Sequence, residues 1–138
     1  MHFVDVNSQN ISLLRGFISN LGSSSRTFRY FESRDLQSCL LDHKKTILLM
    51  DNNEPIGYGH LDKDPSDKKT WLGIALCEKS CGKGLGKKIM EKLLDGCSED
   101  IYLSVDSLNI AGQKLYSKFG FEIIKSKSNI IYMKRSNA

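Results

Sequence analysis

Long apolar runs are missing from this sequence of 138 residues. No stretch approaches the roughly 18–20 consecutive apolar residues that a membrane-spanning helix needs, and the N-terminus lacks the pattern of a signal peptide. We therefore expect no membrane partner and a cytoplasmic location. The length is typical of one domain that buries its own core, so we expect a single domain over residues 1–138.

Cysteine and histidine are scarce, with four and three residues respectively. Cys77 and Cys81 are separated by three residues, but no group of cysteines and histidines at the spacing of a zinc site accompanies them. A domain of this size does not depend on disulfides for its stability. These counts predict reduced thiols and no metal site.

A strong excess of either charge is also missing. Lysine and arginine number 20 against 16 acidic residues, which gives a formal net charge of +4. The basic residues are dispersed, and no DNA- or RNA-binding motif accompanies them, so nucleic acid is not expected as a partner. The mild positive charge suits a small anionic ligand. The sequence leaves the oligomeric state open.

The most informative feature that is present is a series of alternating glycines, Gly82, Gly84 and Gly86. It follows an apolar run at 72–77 and precedes a segment whose apolar residues recur at helical spacing. Glycines at such a strand–helix junction let backbone N–H groups approach a ligand, and the helix N-terminus adds partial positive charge. The series therefore predicts a phosphate-binding turn. Its spacing is neither the dinucleotide fingerprint nor the P-loop, and a turn that serves only the fold is the alternative.

A second motif lies downstream of the glycine series. A short strand pattern, Leu103-Ser104-Val105, is followed by Asn109, Ala111, Leu115-Tyr116 and Lys118-Phe119-Gly120-Phe121. With both motifs in this order, residues 55–133 resemble the GNAT superfamily of N-acetyltransferases. That family carries Arg/Gln-x-x-Gly-x-Gly/Ala after its fourth strand and the Asn, Ala, Leu-Tyr, Gly-Phe series later. Cys81 is a departure, since it stands where the family usually has Arg or Gln.

The order of the predicted elements agrees with the fold that this resemblance implies. Antiparallel hairpins, one βαβ unit and interspersed helices describe a mixed α/β (α+β) sheet. The GNAT fold is a central, mostly antiparallel splayed sheet flanked by helices, with the cofactor in the split. We predict strands at 3–6, 46–50, 55–61, 70–76, 101–105, 121–125 and 130–134. We predict helices from a Ser8 cap to Gly22, from a Ser33 cap onward, at 82–95 and at 109–119, with a serine-rich loop at 22–26.

The resemblance also implies acetyl-CoA as the cofactor. Its pyrophosphate would be held at the glycine turn by Cys81, Gly82, Lys83, Gly84, Leu85, Gly86 and Lys87, although the lysines also fit a solvated helix face. In the family a bulge splays the fourth strand, and main-chain groups there bind the pantetheine arm. By position these groups belong to Ile74, Ala75 and Leu76. Asn109 matches a position that often contacts the cofactor, and it is equally suited to capping its helix.

Two residues are candidates for the chemistry. Tyr116 matches the position of the family's general acid. A phenol with a pKa near 10 stays protonated at neutral pH and can give its proton to a thiolate. Packing against helix neighbours is its alternative role. The base is less well marked, because residues 69–72 lack the Glu that some family members have there. His60, on the adjoining strand, has a suitable pKa, and a structural histidine is the alternative.

The acceptor wall is expected between the first two helices, where arginines and aromatic residues alternate. Arginine suits phosphates, and aromatic rings suit stacking on a base or sugar. A nucleotide-linked amino sugar therefore fits best as the primary amine, ahead of a peptide or protein amine. A polyamine prefers carboxylates, which this wall largely lacks. A non-catalytic acyl-CoA-binding module is the alternative class. The candidate substrate-binding residues are Arg26, Arg29, Tyr30, Asp62 and Trp71, and Asp62 also shares a strand face with His60.

Overall fold

Seven strands form one central sheet in the computed structural model, which describes residues 1–26 and 28–137. The strands are β1 (His2–Asp5), β2 (His43–Asp51), β3 (Glu54–Lys63), β4 (Thr70–Leu76), β5 (Ile101–Asp106), β6 (Glu122–Lys127) and β7 (Ile130–Arg135). The α-helices are α1 (Ile11–Ser19), α2 (Leu36–Asp42), α3 (Leu85–Leu94) and α4 (Ile110–Lys118), with 3-10 turns at Gly22–Arg26 and Glu78–Ser80. None of these helices is long and apolar enough to cross a membrane.

The strand order is β1-β2-β3-β4-β5-β7-β6, and every neighbouring pair is antiparallel except β4 and β5. The β2–β3 hairpin turns through Asn52 and Asn53, whose φ angles are 50° and 68°. Asparagine tolerates this left-handed region, and such a turn matches the twist of the flanking strands. The mixed, mostly antiparallel sheet that the sequence predicts is confirmed.

Strand β3 lies at the centre of the core because both of its faces are covered. A Cβ added at Gly57 or Gly59 would come within 2.8 Å of the Ile89 side chain, so the two glycines let α3 pack closely on this strand. On the opposite face the Tyr58 ring stacks on Phe17 of α1, with 5.9 Å between ring centroids. Alternate residues of β3 therefore face α3 on one side of the sheet and α1 on the other.

The split in the sheet lies between β4 and β5. These strands pair only at Thr70–Ile101 and Trp71–Tyr102, and beyond that point each follows its other neighbour, β3 or β7. The β3–β4 register runs from Gly57–Leu76 to Lys63–Thr70 without a shift. The predicted split is therefore present, whereas the expected bulge in β4 does not interrupt its pairing with β3.

Three helix starts differ from the sequence prediction. Ser8 does not cap α1, because Asn10 stands at the N-cap and its side chain bonds backward to the N–H of Asn7. Ser33 does not cap α2, since the Asp35 carboxylate accepts from the Ser38 N–H at 3.1 Å. The third helix begins at Leu85 rather than at residue 82, and residues 22–26 form a 3-10 turn rather than a loop.

Candidate active site

A cleft of about 1280 Å³ opens where β4 and β5 diverge. Its walls come from both strands, from the glycine turn before α3, from α4 and from the segment at 28–34. Of the candidate site residues, Arg26 and Lys83 are exposed and lie outside this lining. The cleft brings together Arg29, Tyr30, His60, Asp62, Trp71, Ile74, Ala75, Leu76, Cys81, Gly82, Gly84, Leu85, Gly86, Lys87, Asn109 and Tyr116.

The glycine turn owes its shape to two left-handed residues. Gly82 and Gly84 have φ angles of 77° and 75°, and residues with a Cβ rarely adopt such angles. Because a Cβ at either position would meet nothing within 4 Å, the glycines serve conformation rather than space. Gly84 is the N-cap of α3 and has no side chain to cap it. The first-turn N–H groups therefore remain available to an anion.

Cys81 lies before this turn, and its backbone is already engaged. Its N–H donates to the Glu78 carbonyl at 3.2 Å, and its thiol lies 3.5 Å from the Cys77 carbonyl oxygen. The sequence assigns Cys81 a backbone N–H contact to pyrophosphate, but in this conformation that N–H has a protein partner. Lys87, in the first turn of α3, is exposed and lines the cleft.

The open edge of β4 supplies a second set of main-chain groups. Beyond Trp71 no strand within residues 1–26 and 28–137 pairs with that edge, because β5 has turned away. Ile74, Ala75 and Leu76 all line the cleft at this level. Unpaired strand groups need polar partners, so this edge can hydrogen-bond an extended ligand.

Tyr116 is almost fully buried, at 6% exposure, and its ring meets Phe121 edge-on at 6.0 Å. Its hydroxyl makes no hydrogen bond within the described part of the chain. Every fully enclosed side-chain oxygen in the described residues has a hydrogen-bond partner. The Tyr116 oxygen has none, so it is not fully enclosed, and it opens into the cleft that Tyr116 lines. Burial raises the pKa of Tyr116 well above its usual value, which keeps the phenol protonated.

Asn109 caps α4, one of the two roles that the sequence allows it. Its Oδ1 accepts from the Gly112 N–H at 2.9 Å. A Cβ at Gly112 would lie 2.6 Å from the Asn109 amide nitrogen, so glycine is needed for this approach. Asn109 also lines the cleft, and a contact with the cofactor stays a prediction.

His60 is enclosed, with 2% of its surface exposed. Its Nδ1 lies 2.7 Å from the Tyr58 hydroxyl, and Nε2 would be 2.7 Å from a Cβ added at Gly73. Burial, with the neighbouring His43 ring and Arg34 guanidinium, lowers the pKa of His60 well below its usual value. The ring is therefore neutral. The Tyr58 hydroxyl has no other hydrogen-bond partner among residues 1–26 and 28–137, and where it donates to Nδ1 the imidazole proton lies on Nε2.

The aromatic residues of the 28–34 segment are used for packing. The half-buried Phe28 and Phe31 rings lie 5.6 and 5.5 Å from the Tyr58 ring and pack against the α1 side of the core, and Phe28 also lines the cleft. The Arg34 guanidinium lies 4.1 Å over the Tyr30 ring and donates to the Tyr30 carbonyl at 2.6 Å. The predicted stacking surface for a base or sugar is therefore partly occupied by the protein's own contacts.

Carboxylates lie at the same end of the cleft. Asp62 is half-buried and faces Trp71 across the β3–β4 ladder. Its Oδ2 accepts from the Tyr30 hydroxyl at 2.7 Å, while the Trp71 indole donates to Asp67 at 3.1 Å. Asp64 joins Asp62 in the lining. Asp64 was not among the residues predicted from the sequence, although its spacing of two residues from Asp62 indicates the same side of the strand.

Comparisons with known proteins agree with this geometry. The model of the Acetyltransferase (GNAT) family matches residues 15–121. A spermine/spermidine N(1)-acetyltransferase of Bacillus subtilis is 31% identical over 125 residues, which cover 78% of this chain and 81% of that protein. A putative acetyltransferase from Salmonella typhimurium, solved with acetyl-CoA, superposes with a TM-score of 0.75 at 15% identity over 100% of this chain and 94% of that one. A ribosomal-protein-alanine N-acetyltransferase from Brucella melitensis gives 0.75 at 13% identity over 99% of both chains.

Proposed function

Since the chain belongs to the acetyltransferase (GNAT) family and is an N-acetyltransferase that uses acetyl-CoA, we propose that its acceptor is a small cationic primary amine of the polyamine type. The observation that carries this proposal is the pair of carboxylates, Asp62 and Asp64, at the acceptor end of the cleft. A carboxylate that is partly withdrawn from water binds an ammonium group by a charge-assisted hydrogen bond.

The related Bacillus subtilis enzyme supports the same class of acceptor, since its name gives spermine and spermidine as its substrates. The nucleotide-linked amino sugar that the sequence favours stays a second candidate. Arg29 is exposed in the same end of the cleft and suits a phosphate. The packing of Phe31 against Tyr58 weakens that candidate because it removes one stacking surface, whereas the half-buried Phe28 still lines the cleft.

The cofactor's place follows from the groups that fit it. We assign the pyrophosphate to the N–H groups between Gly82 and Lys87, where left-handed glycines and an uncapped helix start leave donors open. The open edge of β4 at 74–76 suits the amide groups of the pantetheine arm. Asn109 lies beside this path, and the Lys87 ammonium adds charge. Cys81 contributes least to pyrophosphate binding, because its backbone N–H already donates to the Glu78 carbonyl.

The chemistry needs a group that returns a proton to sulfur. When bound, acetyl-CoA supplies the acetyl group as a thioester. Burial raises the pKa of Tyr116, so its hydroxyl is protonated at neutral pH but releases the proton less readily than a free phenol. The hydroxyl opens into the cleft, where a departing thiolate can take that proton. We therefore keep Tyr116 as the general acid for the departing thiolate.

The base stays a prediction at His60. A base must be unprotonated, and the lowered pKa of His60 meets that condition. The same low pKa makes it a weak proton acceptor, and with Tyr58 donating to Nδ1 its Nε2 carries the ring proton. An ordered water that relays the amine proton is the alternative.

A panel of amines tests the acceptor class. We expect coenzyme A release with spermidine or spermine, and none without an amine. Asp62→Asn should raise the KM for the amine roughly 10–100-fold, since a hydrogen bond to a charged group contributes about 1.5–3 kcal/mol. Asp95→Asn removes an exposed charge at the C-terminus of α3 and is the matched control.

Two results would contradict the proposal. Turnover of a nucleotide-linked amino sugar in place of polyamines would overturn the acceptor class. Acetyl-CoA binding without turnover of any amine would favour the non-catalytic module.

A further inference from the structure

We propose that Tyr30 is a positioning residue whose hydroxyl, held by His43, fixes the Asp62 carboxylate in the orientation that receives the acceptor amine. This inference rests on the proposed function, because it gives Asp62 an acceptor to bind. The juxtaposition that carries it joins three separate parts of the chain, namely the 28–34 segment, β2 and β3.

The first step is the hydrogen bond between Tyr30 and Asp62. The Tyr30 hydroxyl donates to Asp62 Oδ2 over 2.7 Å. Burial and the neighbouring carboxylate raise the pKa of Tyr30 well above its usual value, so the phenol keeps its proton. The other carboxylate oxygen, Oδ1, has no hydrogen-bond partner among residues 1–26 and 28–137. One oxygen is therefore fixed and the other is left for a ligand.

The second step fixes the proton on His43. Its Nε2 lies 2.9 Å from the Tyr30 hydroxyl oxygen, and its Nδ1 lies 2.7 Å from the Thr46 hydroxyl. Because the only proton of Tyr30 goes to Asp62, the histidine must donate from Nε2. Burial lowers the pKa of His43, which leaves one proton on the ring. Nδ1 then accepts from Thr46.

These bonds form a chain in which every member donates in the same direction. Thr46 donates to His43, His43 donates to Tyr30, and Tyr30 donates to Asp62. Aligned hydrogen bonds polarise one another, and here the chain ends on the carboxylate. Thr46 is buried, at 7% exposure, so little water competes at its start. The chain strengthens the donor that Asp62 receives.

The Tyr30 ring is held independently of its hydroxyl. Its centroid lies 4.3 Å from that of His60 and 4.8 Å from that of Phe31. On another side the Arg34 guanidinium lies 4.1 Å from the ring centroid. Tyr30 belongs to no helix or strand, so these contacts fix its position. Removing only the hydroxyl therefore leaves the ring in place, so Tyr30→Phe isolates the effect of the hydroxyl from that of the ring.

The experiment measures steady-state acetylation of spermidine by the wild type, Tyr30→Phe, Asp62→Asn and the double variant. Tyr30→Phe should raise the KM for spermidine roughly tenfold and leave kcat and the KM for acetyl-CoA within about twofold. The double variant should be no worse than Asp62→Asn alone, because Tyr30 acts through that carboxylate. Tyr102→Phe removes a phenol hydroxyl on β5, outside the cleft lining, and should behave as the wild type.

A second pair of variants tests the role of His43. His43→Gln keeps an N–H donor for Tyr30, whereas His43→Ala does not. The glutamine variant should therefore retain a lower KM for spermidine than the alanine variant. A thermal shift with acetyl-CoA equal to that of the wild type checks that each variant is folded.

The contradicting outcomes separate the two proposals. An unchanged KM in Tyr30→Phe, or additive losses in the double variant, would overturn the positioning role while leaving the acceptor class intact. Absence of turnover with every amine would instead count against the proposed function. The ring proton of His43 gives a readout that needs no substrate. Nitrogen NMR that places this proton on Nδ1 would overturn the chain.

Discussion

At the scale of single residues, the buried tyrosines differ in what their hydroxyls contact. The Tyr58 hydroxyl bonds His60, and the Tyr30 hydroxyl bonds Asp62 and His43. Tyr116 is as buried as a core residue, yet its hydroxyl has no partner in the described chain. A phenol hydroxyl that the fold encloses but does not engage is available to a reacting group, whereas the hydroxyls of Tyr30 and Tyr58 already bond protein groups.

Tyr116→Phe should lower kcat with little change in the affinity for acetyl-CoA. The hydroxyl acts only as the thiolate leaves, and loss of a general acid typically costs about 10²–10⁴-fold. Steady-state kinetics with saturating amine measure the loss. Because the hydroxyl makes no protein hydrogen bond, the melting temperature should stay close to that of the wild type. Turnover at the wild-type rate would leave Tyr116 with a packing role alone.

The sequence could predict that Tyr116 and Asn109 lie in the cleft because they belong to one local motif. The chain from Tyr30 to Asp62 and His43 could not be predicted in the same way. Its bonds join residues 32 and 13 positions apart, and they form only once β2 and β3 are paired. The enclosure of His60 by Gly73 is likewise a product of the β3–β4 register.

At the scale of elements, the two ends of α3 allow the effect of backbone strain to be distinguished from the effect of ligand binding. Gly84 and Gly96 flank α3, have φ angles of 75° and 73°, and would each accept a Cβ without a contact within 4 Å. They differ in place, since Gly84 lines the cleft and Gly96 does not. The same substitution at the two ends of one helix therefore separates strain from ligand binding.

Gly84→Ala should weaken acetyl-CoA binding, whereas Gly96→Ala should not. Both variants should lose about 1 kcal/mol of unfolding free energy, because alanine is strained in the left-handed region. Only the change at Gly84 alters the N–H groups that we assign to the pyrophosphate. Calorimetric titration with acetyl-CoA and urea unfolding measure the two effects. Equal affinity in both variants would move the pyrophosphate away from this turn.

Strands were predicted more accurately than helix starts, and the reason is physical. The apolar or alternating pattern of a strand extends over most of its length, so every predicted strand is present with small shifts of its ends. A helix start depends on one cap and one backbone angle. The Asp35 carboxylate reaches the Ser38 N–H, so Ser33 is not needed. Left-handed glycines at 82 and 84 delay α3 until Leu85.

At the scale of the whole molecule, the fold keeps two histidines neutral inside it. Burial lowers the pKa values of both His43 and His60. An unfolded chain protonates histidine near pH 6.5, whereas these two rings in the folded protein resist protonation until a lower pH. Below about pH 6.5 the unfolded state therefore binds more protons, and the free energy of unfolding falls as pH decreases.

We expect the urea midpoint to be constant above about pH 7 and to fall between about pH 6.5 and 5.5. His60→Gln should reduce this slope, because its amide oxygen can accept from Tyr58 without titrating. His2→Gln changes an exposed residue and should keep the wild-type slope. A flat profile in the wild type would show that neither ring resists protonation.

The two residue pairs that join β4 to β5 have a mechanical consequence. Backbone hydrogen bonds fix the distance between strands, but here they tie the two halves of the sheet at one end only. Elsewhere the halves meet through side chains, chiefly those of α3, which form one apolar cluster with β3, β5 and β7. Apolar contacts are not directional, so small sliding between them breaks no bond. We therefore expect relative motion of the two halves to pivot at Thr70 and Trp71, so that the far end of the cleft can widen or narrow while the other strand pairings stay intact.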